Sequence, residues 1–163
     1  MAHQSGAARQ KIILERTFDA PLEAAWNLWT TAKGIESWWG PEGFEVKVRR
    51  LNVSPGGELV YVMTATHSDQ IDFLTKAGMP LVIEHRVTFT EVSPMRRLAF
   101  TDLADFIPGV EPYEVATVVD FEFGPKGWRM VLTFDAMHDE QWTRLAVMGR
   151  EMELDKLVSL LQA

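Results

Sequence analysis

The sequence predicts an α+β fold in which an antiparallel sheet curls around a long C-terminal helix. Two observations predict it. Segment 138–163 carries an amphipathic pattern with helical period, and most of the chain before it alternates apolar and polar residues at the period of a strand. Short turns join most consecutive strands, so neighbouring strands should run antiparallel. Because such a sheet has one apolar face to cover, we expect the helix to pack against that face.

The chain is expected to enter the fold through a strand followed by a helix. The strand is predicted at 11–18, where one alternating set of residues is the more apolar. The sequence Asp-Ala-Pro at 19–21 then favours a helix start, with the aspartate capping free amides and the proline in the first turn. Trp26 and Trp29 give this helix an apolar face. The helix is expected to end by Lys33-Gly34, the glycine being a natural stop.

A second short helix is predicted at 35–39, closed by the Gly-Pro-Glu-Gly sequence at 40–43. After it the alternation predicts six more strands, at 44–51, 58–66, 81–92, 97–102, 114–123 and 128–136. Two apolar insertions interrupt them. We interpret 67–80 as a loop with a short helical turn lying over the sheet, and 103–113 as a loop rich in proline and glycine.

One residue breaks the pattern of the long helix at 138–163. Its apolar side is formed by Ala146, Val147, Leu154, Leu157, Val158, Leu160 and Leu161. Arg150 falls near the middle of that apolar arc. An inward guanidinium cannot lose its charge, so it requires a carboxylate such as Asp102 or Asp120, an anionic ligand, or a route to water along its aliphatic stem.

The composition excludes several classes of protein. With 163 residues, 47% of them hydrophobic and 24% charged, the chain is typical of one globular domain. We assign that domain to 11–163 and interpret 1–10 as a frayed tail or an expression remnant. The net charge of −7 argues against a nucleic-acid partner.

The residue types that are missing also narrow the possibilities. There is no cysteine, which excludes disulfides, thiolate catalysis and Cys-ligated metals and fits a reducing cytoplasm. No apolar run is long enough to span a bilayer, and the N-terminus lacks the apolar segment of a secretory signal. We therefore expect a cytoplasmic protein that does not insert into membranes.

Several short motifs accompany this order of elements: Ala20-Pro21, Trp26, Trp29, Trp-Trp-Gly-Pro-Glu-Gly-Phe at 38–44, Pro55-Gly56-Gly57 and Leu-Asp-Lys-Leu at 154–157. Over 12–161 the chain resembles the SRPBCC or START-like superfamily, and more closely the bacterial branch named for similarity to the activator of the Hsp90 ATPase. The resemblance implies a helix-grip fold, a seven-stranded antiparallel sheet around the C-terminal helix with an apolar cavity between them. Members commonly have Gly-Trp where this chain has Gly149-Arg150, so a cation replaces a large aromatic.

We expect the functional site between the sheet and the helix. Alternate residues of the third and seventh strands form two apolar faces that would line a cavity there, or would fill a solid core instead. The candidate ligand-binding residues are Trp39, Leu59, Tyr61, Met63, His85, Phe106, Met130, Phe134 and Arg150.

The sequence allows more than one role for His85 and for Trp39. His85 alternates in step with the apolar residues Val87 and Phe89 of its strand, which predicts that its side chain points inward. Such a histidine is either an acid or base near neutral pH or a hydrogen-bonded core residue. Trp38 and Trp39 are adjacent and cannot share a helix face, so one should pack inward and the other cover the following turn or an entrance.

The end of the last strand carries side chains of types that ligate metals: Asp135, His138, Asp139 and Glu140. Acidic residues at the start of a helix are also what its capping and dipole favour. We expect capping rather than a metal site, and no cofactor.

These observations support binding rather than catalysis. The first hypothesis is a module that binds a small, largely apolar molecule, with or without a polar or acidic end. One alternative is a cyclase, dehydratase or isomerase that moves a proton with His85 and positions its substrate with Arg150. Another is a co-chaperone-like interaction module, which the name of the branch suggests. A homodimer remains open.

Overall fold

A computed structural model describes residues 9–162 of the chain. Within that range the strands are β1 Lys11–Phe18, β2 Phe44–Leu51, β3 Glu58–Ala65, β4 Val82–Ser93, β5 Arg97–Ala104, β6 Tyr113–Gly124 and β7 Gly127–Asp135. The helices there are α1 Leu22–Thr30, α2 Ala32–Trp38, α3 Ser68–Lys76 and α4 Glu140–Gln162. Most of the predicted tail at 1–10 lies outside the described residues. Its last two residues contact the sheet, since Arg9 donates to the carbonyl of Glu114 and Gln10 accepts from Ala136.

The seven strands form one sheet in the order β1-β7-β6-β5-β4-β3-β2, and every neighbouring pair is antiparallel. The predicted α+β class, with a seven-stranded antiparallel sheet and a long C-terminal helix in a helix-grip arrangement, is confirmed. Register shifts between Val48 and Arg50 and between Phe89 and Glu91 mark bulges, which bend strands locally. Bending of this kind helps the sheet to wrap α4.

The two ends of α4 meet different surroundings. Its C-terminal half packs into the main core through Leu154 and Leu157, together with the tryptophans of α1 and α2. Its N-terminal half borders a smaller cluster, where Trp142 packs with residues of β3, β4 and α3. The helix thus packs on the main core along its C-terminal half and borders the smaller cluster along its N-terminal half.

The junction between α1 and α2 differs from the prediction. Helix α1 ends at Thr30, because Thr31 is extended and its hydroxyl accepts a hydrogen bond from Gly34 N at 3.0 Å. The first helix thus ends before Lys33-Gly34, but Gly34 lies inside α2 and is not the residue that stops it. A Cβ at Gly34 would lie 2.5 Å from the Asn27 carbonyl oxygen, so the glycine permits the two helices to touch. Asp19 is predicted to cap the start of α1, but no side chain caps the N-terminus of that helix.

Three further predictions need correction. The insertion at 67–80 contains the nine-residue α3 rather than a short helical turn. The insertion at 103–113 is shorter than predicted, because β5 continues to Ala104. Leu160 is 43% exposed although it was placed on the apolar side of α4, since it lies at the margin of the arc, about 60° around the helix from Leu157.

Candidate functional site

Two adjoining cavities lie between the sheet and α4. We call the larger one, of about 310 Å³, the outer cavity, and the smaller one, of about 100 Å³, the inner cavity. Arg150 and Glu153 line both of them. These two side chains, three residues apart on one face of α4, therefore form the wall between the cavities.

The outer cavity is apolar. It lies between α3, the adjacent ends of β3 and β4, and the N-terminal half of α4, and its walls include Phe44, Leu74, Ile83 and Trp142. Five methionines contribute to it: Met63, Met79, Met137, Met148 and Met152. Because thioether side chains are flexible and polarisable, such a wall can adapt to ligands of different shape. Phe73, Met148 and Met152 are exposed at its rim, so the outer cavity reaches the surface.

The inner cavity is more polar and lies deeper, against the tryptophans of α1 and α2. Tyr61 of β3 and Asp102 of β5 face it, together with Trp39, Arg150 and Glu153. Its remaining walls are aromatic and aliphatic: Trp29, Trp38, Phe100, Leu132 and Leu154. The arrangement thus joins an apolar chamber to a small chamber with charged groups.

The candidate residues named from the sequence distribute unevenly over these cavities. Met63, His85 and Phe106 line the outer cavity, Trp39 and Tyr61 line the inner one, and Arg150 lines both. Three others line neither: Leu59, Met130 and Phe134. They are fully buried in the core, where Trp29 Nε1 lies 3.5 Å from Met130 Sδ and the Arg150 guanidinium lies 4.5 Å from the centre of the Phe134 ring.

Arg150 is held inside the fold rather than at the cavity mouth. Its side chain is 17% exposed, and Nη2 donates to Thr117 Oγ1 at 3.0 Å and lies 3.6 Å from Asp102 Oδ2. Of the alternatives for an inward arginine, the structure has the pair with Asp102. Asp120 is engaged elsewhere, in an ion pair with Arg97.

Two carboxyl groups surround this one guanidinium. Burial raises the pKa of Asp102 and of Glu153, and the charge of Arg150 opposes the rise in both. The Asp102 side chain still shows 32% exposure, because it faces the inner cavity. Glu153 Oε2 accepts a hydrogen bond from Gly40 N at 2.7 Å, and Lys156 Nζ donates to Gly40 O at 2.7 Å. The segment after α2 is thereby fixed to α4.

Three buried polar atoms have no hydrogen-bond partner among residues 9–162: Trp39 Nε1, His85 Nε2 and Asp102 Oδ1. All three residues line a cavity, His85 the outer one and the other two the inner one. Buried polar groups are nearly always satisfied in native proteins. These three residues therefore mark the parts of the cavity walls that retain unused hydrogen-bonding capacity.

His85 lies on the inward face that its parity predicts. Its ring stacks on Tyr61 with 5.0 Å between ring centres and meets the edge of Phe106 at 5.3 Å. Burial lowers the pKa of His85 to about 4, although the charge of Asp105 opposes this shift. Burial also raises the pKa of Tyr61 well above its ordinary value. Both rings are therefore neutral at neutral pH.

The polar residues at the junction of β7 and α4 have local roles. Asp135 accepts hydrogen bonds from Lys11 and from Ala116 N, and Tyr113 Oη lies 2.7 Å from His138 Nδ1. Asp139 Oδ1 accepts from the backbone of α4, as expected for a cap. In residues 9–162, no three histidine, aspartate or glutamate side chains are arranged to hold a metal ion.

Sequence reasoning missed Glu153 and Thr117. Glu153 could have been found from its place three residues after Arg150 on the same helix face. Thr117 could have been found as the polar member of the alternating set that it shares with Val115 and Val119, where it is 1% exposed.

The chain matches the family model described as activator of Hsp90 ATPase homolog 1-like protein over residues 19–162. No curated protein matches it. Among the helices of the described residues, none is long and apolar enough to cross a membrane.

Several solved structures share the fold. A protein from Chromobacterium violaceum is 20% identical with a TM-score of 0.75, and the match covers 94% of this chain and 99% of that one. An AHSA1 protein from Silicibacter pomeroyi is 22% identical with a TM-score of 0.71, covering 94% and 98%. An AHSA1-like protein from Aeromonas hydrophila is 22% identical with a TM-score of 0.70, covering 94% and 92%. At these identities the likeness establishes the fold.

Proposed function

The chain belongs to the family of activator of Hsp90 ATPase homolog 1-like proteins within the SRPBCC superfamily, and we propose that it binds a small, largely apolar molecule with a polar or acidic end. The observation that carries this proposal is the pair of adjoining cavities. The apolar part would occupy the outer cavity, and the polar end would pass Arg150 and Glu153 into the inner one.

The dimensions and chemistry of the site support this proposal. Ligand pockets of proteins commonly enclose roughly 300 to 1,000 Å³ and combine apolar walls with a few polar groups. The outer cavity, at about 310 Å³, reaches that range. Its methionine-rich wall would accept related molecules of different shape rather than a single rigid one.

Binding is favoured over proton-transfer catalysis by the environment of His85. A general base works best when its pKa lies near the working pH. Burial lowers the pKa of His85 to about 4, which makes the ring a weak proton acceptor at neutral pH. We therefore propose that His85 Nε2 contributes a hydrogen bond to the ligand and does not carry a reaction.

The proposal is tested with a neutral fluorescent probe, N-phenyl-1-naphthylamine, whose emission rises in apolar surroundings. We expect saturable binding to a single site. Ala146 lines the outer cavity, so Ala146→Trp should fill part of its volume and weaken binding by about tenfold or more. Glu151 is exposed on the same helix, and Glu151→Trp is the matched control that should leave binding unchanged.

Native mass spectrometry of the gently purified protein provides a second measurement, because a retained molecule would add a discrete mass. Two results would overturn the proposal. One is the absence of saturable probe binding by a folded protein. The other is equal probe affinity in the Ala146→Trp variant and in the control, which would place the probe outside the cavity.

A further inference from the structure

The inner cavity contains hydrogen-bonding groups that discriminate between chemical classes of ligand ends. From these groups we infer that the polar end of the ligand is uncharged and both donates and accepts a hydrogen bond, as the hydroxyl group of an alcohol or phenol does. This inference rests on the proposed binding function and specifies which ligands the site prefers. Of the polar or acidic end that the proposed function allows, this inference selects an uncharged polar end.

The first reason is a pair of unpartnered polar atoms in two residues that line the inner cavity. Trp39 Nε1 can only donate, and the Asp102 carboxylate can only accept. Both atoms are buried without a partner among the described residues, and Trp39 is 8% exposed. One hydroxyl group has the chemistry to serve both, because its oxygen can accept from Trp39 and its proton can be donated to Asp102 Oδ1.

The second reason is the size of the inner cavity. Its volume of about 100 Å³ admits a terminal group of a few atoms rather than a ring system. The bulk of the ligand would therefore remain in the outer cavity. The polar end would have to pass Arg150 and Glu153, which line both cavities.

The third reason is the balance of charge around the inner cavity. A ligand carboxylate would be a third carboxyl group near Arg150, after Asp102 and Glu153, and its oxygens could not donate to Asp102 Oδ1. Arg150 is also already engaged with Thr117 and Asp102. A ligand ammonium would lie beside the guanidinium and could not accept from Trp39. An uncharged hydroxyl avoids both conflicts.

The test measures displacement of N-phenyl-1-naphthylamine at neutral pH by four ligands of nearly equal size. These are 1-octanol, octanoate, octylamine and 1-methoxyheptane, which has the atoms of octanol but cannot donate a hydrogen bond. We expect octanol to bind about tenfold more tightly than methoxyheptane, since one buried hydrogen bond to a charged acceptor is at stake. Octanoate and octylamine should bind more weakly than octanol.

A substitution of Asp102 tests whether the preference among the four ligands comes from the inner cavity or only from their different solubility in water. Asp102→Asn keeps the shape of the side chain but adds a donor and removes one negative charge. The preference for octanol over octanoate should fall by about tenfold. The matched control is Asp120→Asn, which makes the same change at an exposed ion pair outside both cavities and should leave the preference unchanged.

A second variant keeps the inference testable if Asp102→Asn does not fold. Trp39→Phe keeps an aromatic side chain and removes the donor, so octanol should lose several-fold more affinity than octylamine, which cannot accept from this donor.

The outcomes distinguish the two claims. If the probe binds but octanoate or octylamine matches octanol, or if methoxyheptane equals octanol, the inference about the hydroxyl end is refuted and the binding function stands. An unchanged preference in Asp102→Asn also refutes it. If none of the molecules binds to the folded protein, the proposed function and this inference fail together.

Discussion

Replacing His85 with phenylalanine should make the protein less sensitive to mild acid. In the folded protein, burial holds the pKa of His85 at about 4, against 6.5 for an ordinary histidine. The unfolded chain therefore takes up a proton on this residue at a higher pH than the folded chain does. As the pH falls from 6.5 towards 4, protonation of the unfolded chain favours unfolding, so stability that is present at neutral pH is lost.

The size of this effect follows from the difference between the two pKa values. A shift of that size corresponds to about 3 kcal/mol once the pH is below both values. At about pH 5 the loss relative to neutral pH is about 2 kcal/mol. A phenylalanine side chain cannot take up a proton, and an aromatic ring at this position can still pack between Tyr61 and Phe106. The variant should therefore lack this component of acid sensitivity.

Urea unfolding at neutral pH and at about pH 5 measures the effect as the change in unfolding free energy of each protein. Asp102 and Glu153, whose pKa values are raised by burial, act in the opposite direction, because folded protein takes up their protons first. They are present in both proteins, so the comparison isolates His85. His67→Phe, at an exposed histidine, is the matched control. Equal acid sensitivity in the wild type and the His85→Phe variant would refute the reasoning.

Two further substitutions test other parts of the structure. Gly34→Ala should lower the unfolding free energy by about 2 kcal/mol in urea titrations, because the new Cβ would lie 2.5 Å from a carbonyl oxygen of α1. A Cβ at Gly124 would meet no atom nearer than 4.0 Å, so the control variant Gly124→Ala should be tolerated. Similar losses of stability in both variants would contradict the close-contact argument. Arg150→Met should lower the unfolding free energy by about 2 kcal/mol at neutral pH, since Asp102 would lose its buried cation. Arg144→Met, at an exposed pair, should have no measurable effect, and equal losses in the two variants would contradict the assigned role of the inward pair.

The fold was predictable because its signals are local. Alternation of residue types predicted the strands, and parity placed Tyr61 and His85 on one face, where they pair across β3 and β4. The role of Gly34 was missed, because the contact it permits with α1 depends on the angle between two helices, which no local pattern records.

The cavities were less predictable than the sheet. Parity alone cannot rank the inward residues of a strand, as Leu59 and Met63 show: they share a face of β3, although only Met63 borders a cavity. Whether an inward residue fills the core or lines a cavity depends on the volumes of the side chains on other elements. Glu153 was overlooked because its polar character suggests a solvated helix face. Its hydrogen bond to Gly40 and its place in the walls of both cavities show that the carboxylate points inward.

The wall between the two cavities gives this fold a simple means of diversification. It consists of Arg150 and Glu153, less than one helical turn apart, and neither belongs to the main core. The residues that anchor the helix, Leu154 and Leu157, are different ones. Exchange of the two wall residues can therefore change the volume and charge of the chambers while the apolar contacts of Leu154 and Leu157 persist, at the cost of the polar contacts with Gly40 and Asp102. Evolution can alter what such a protein recognises through a single turn of helix.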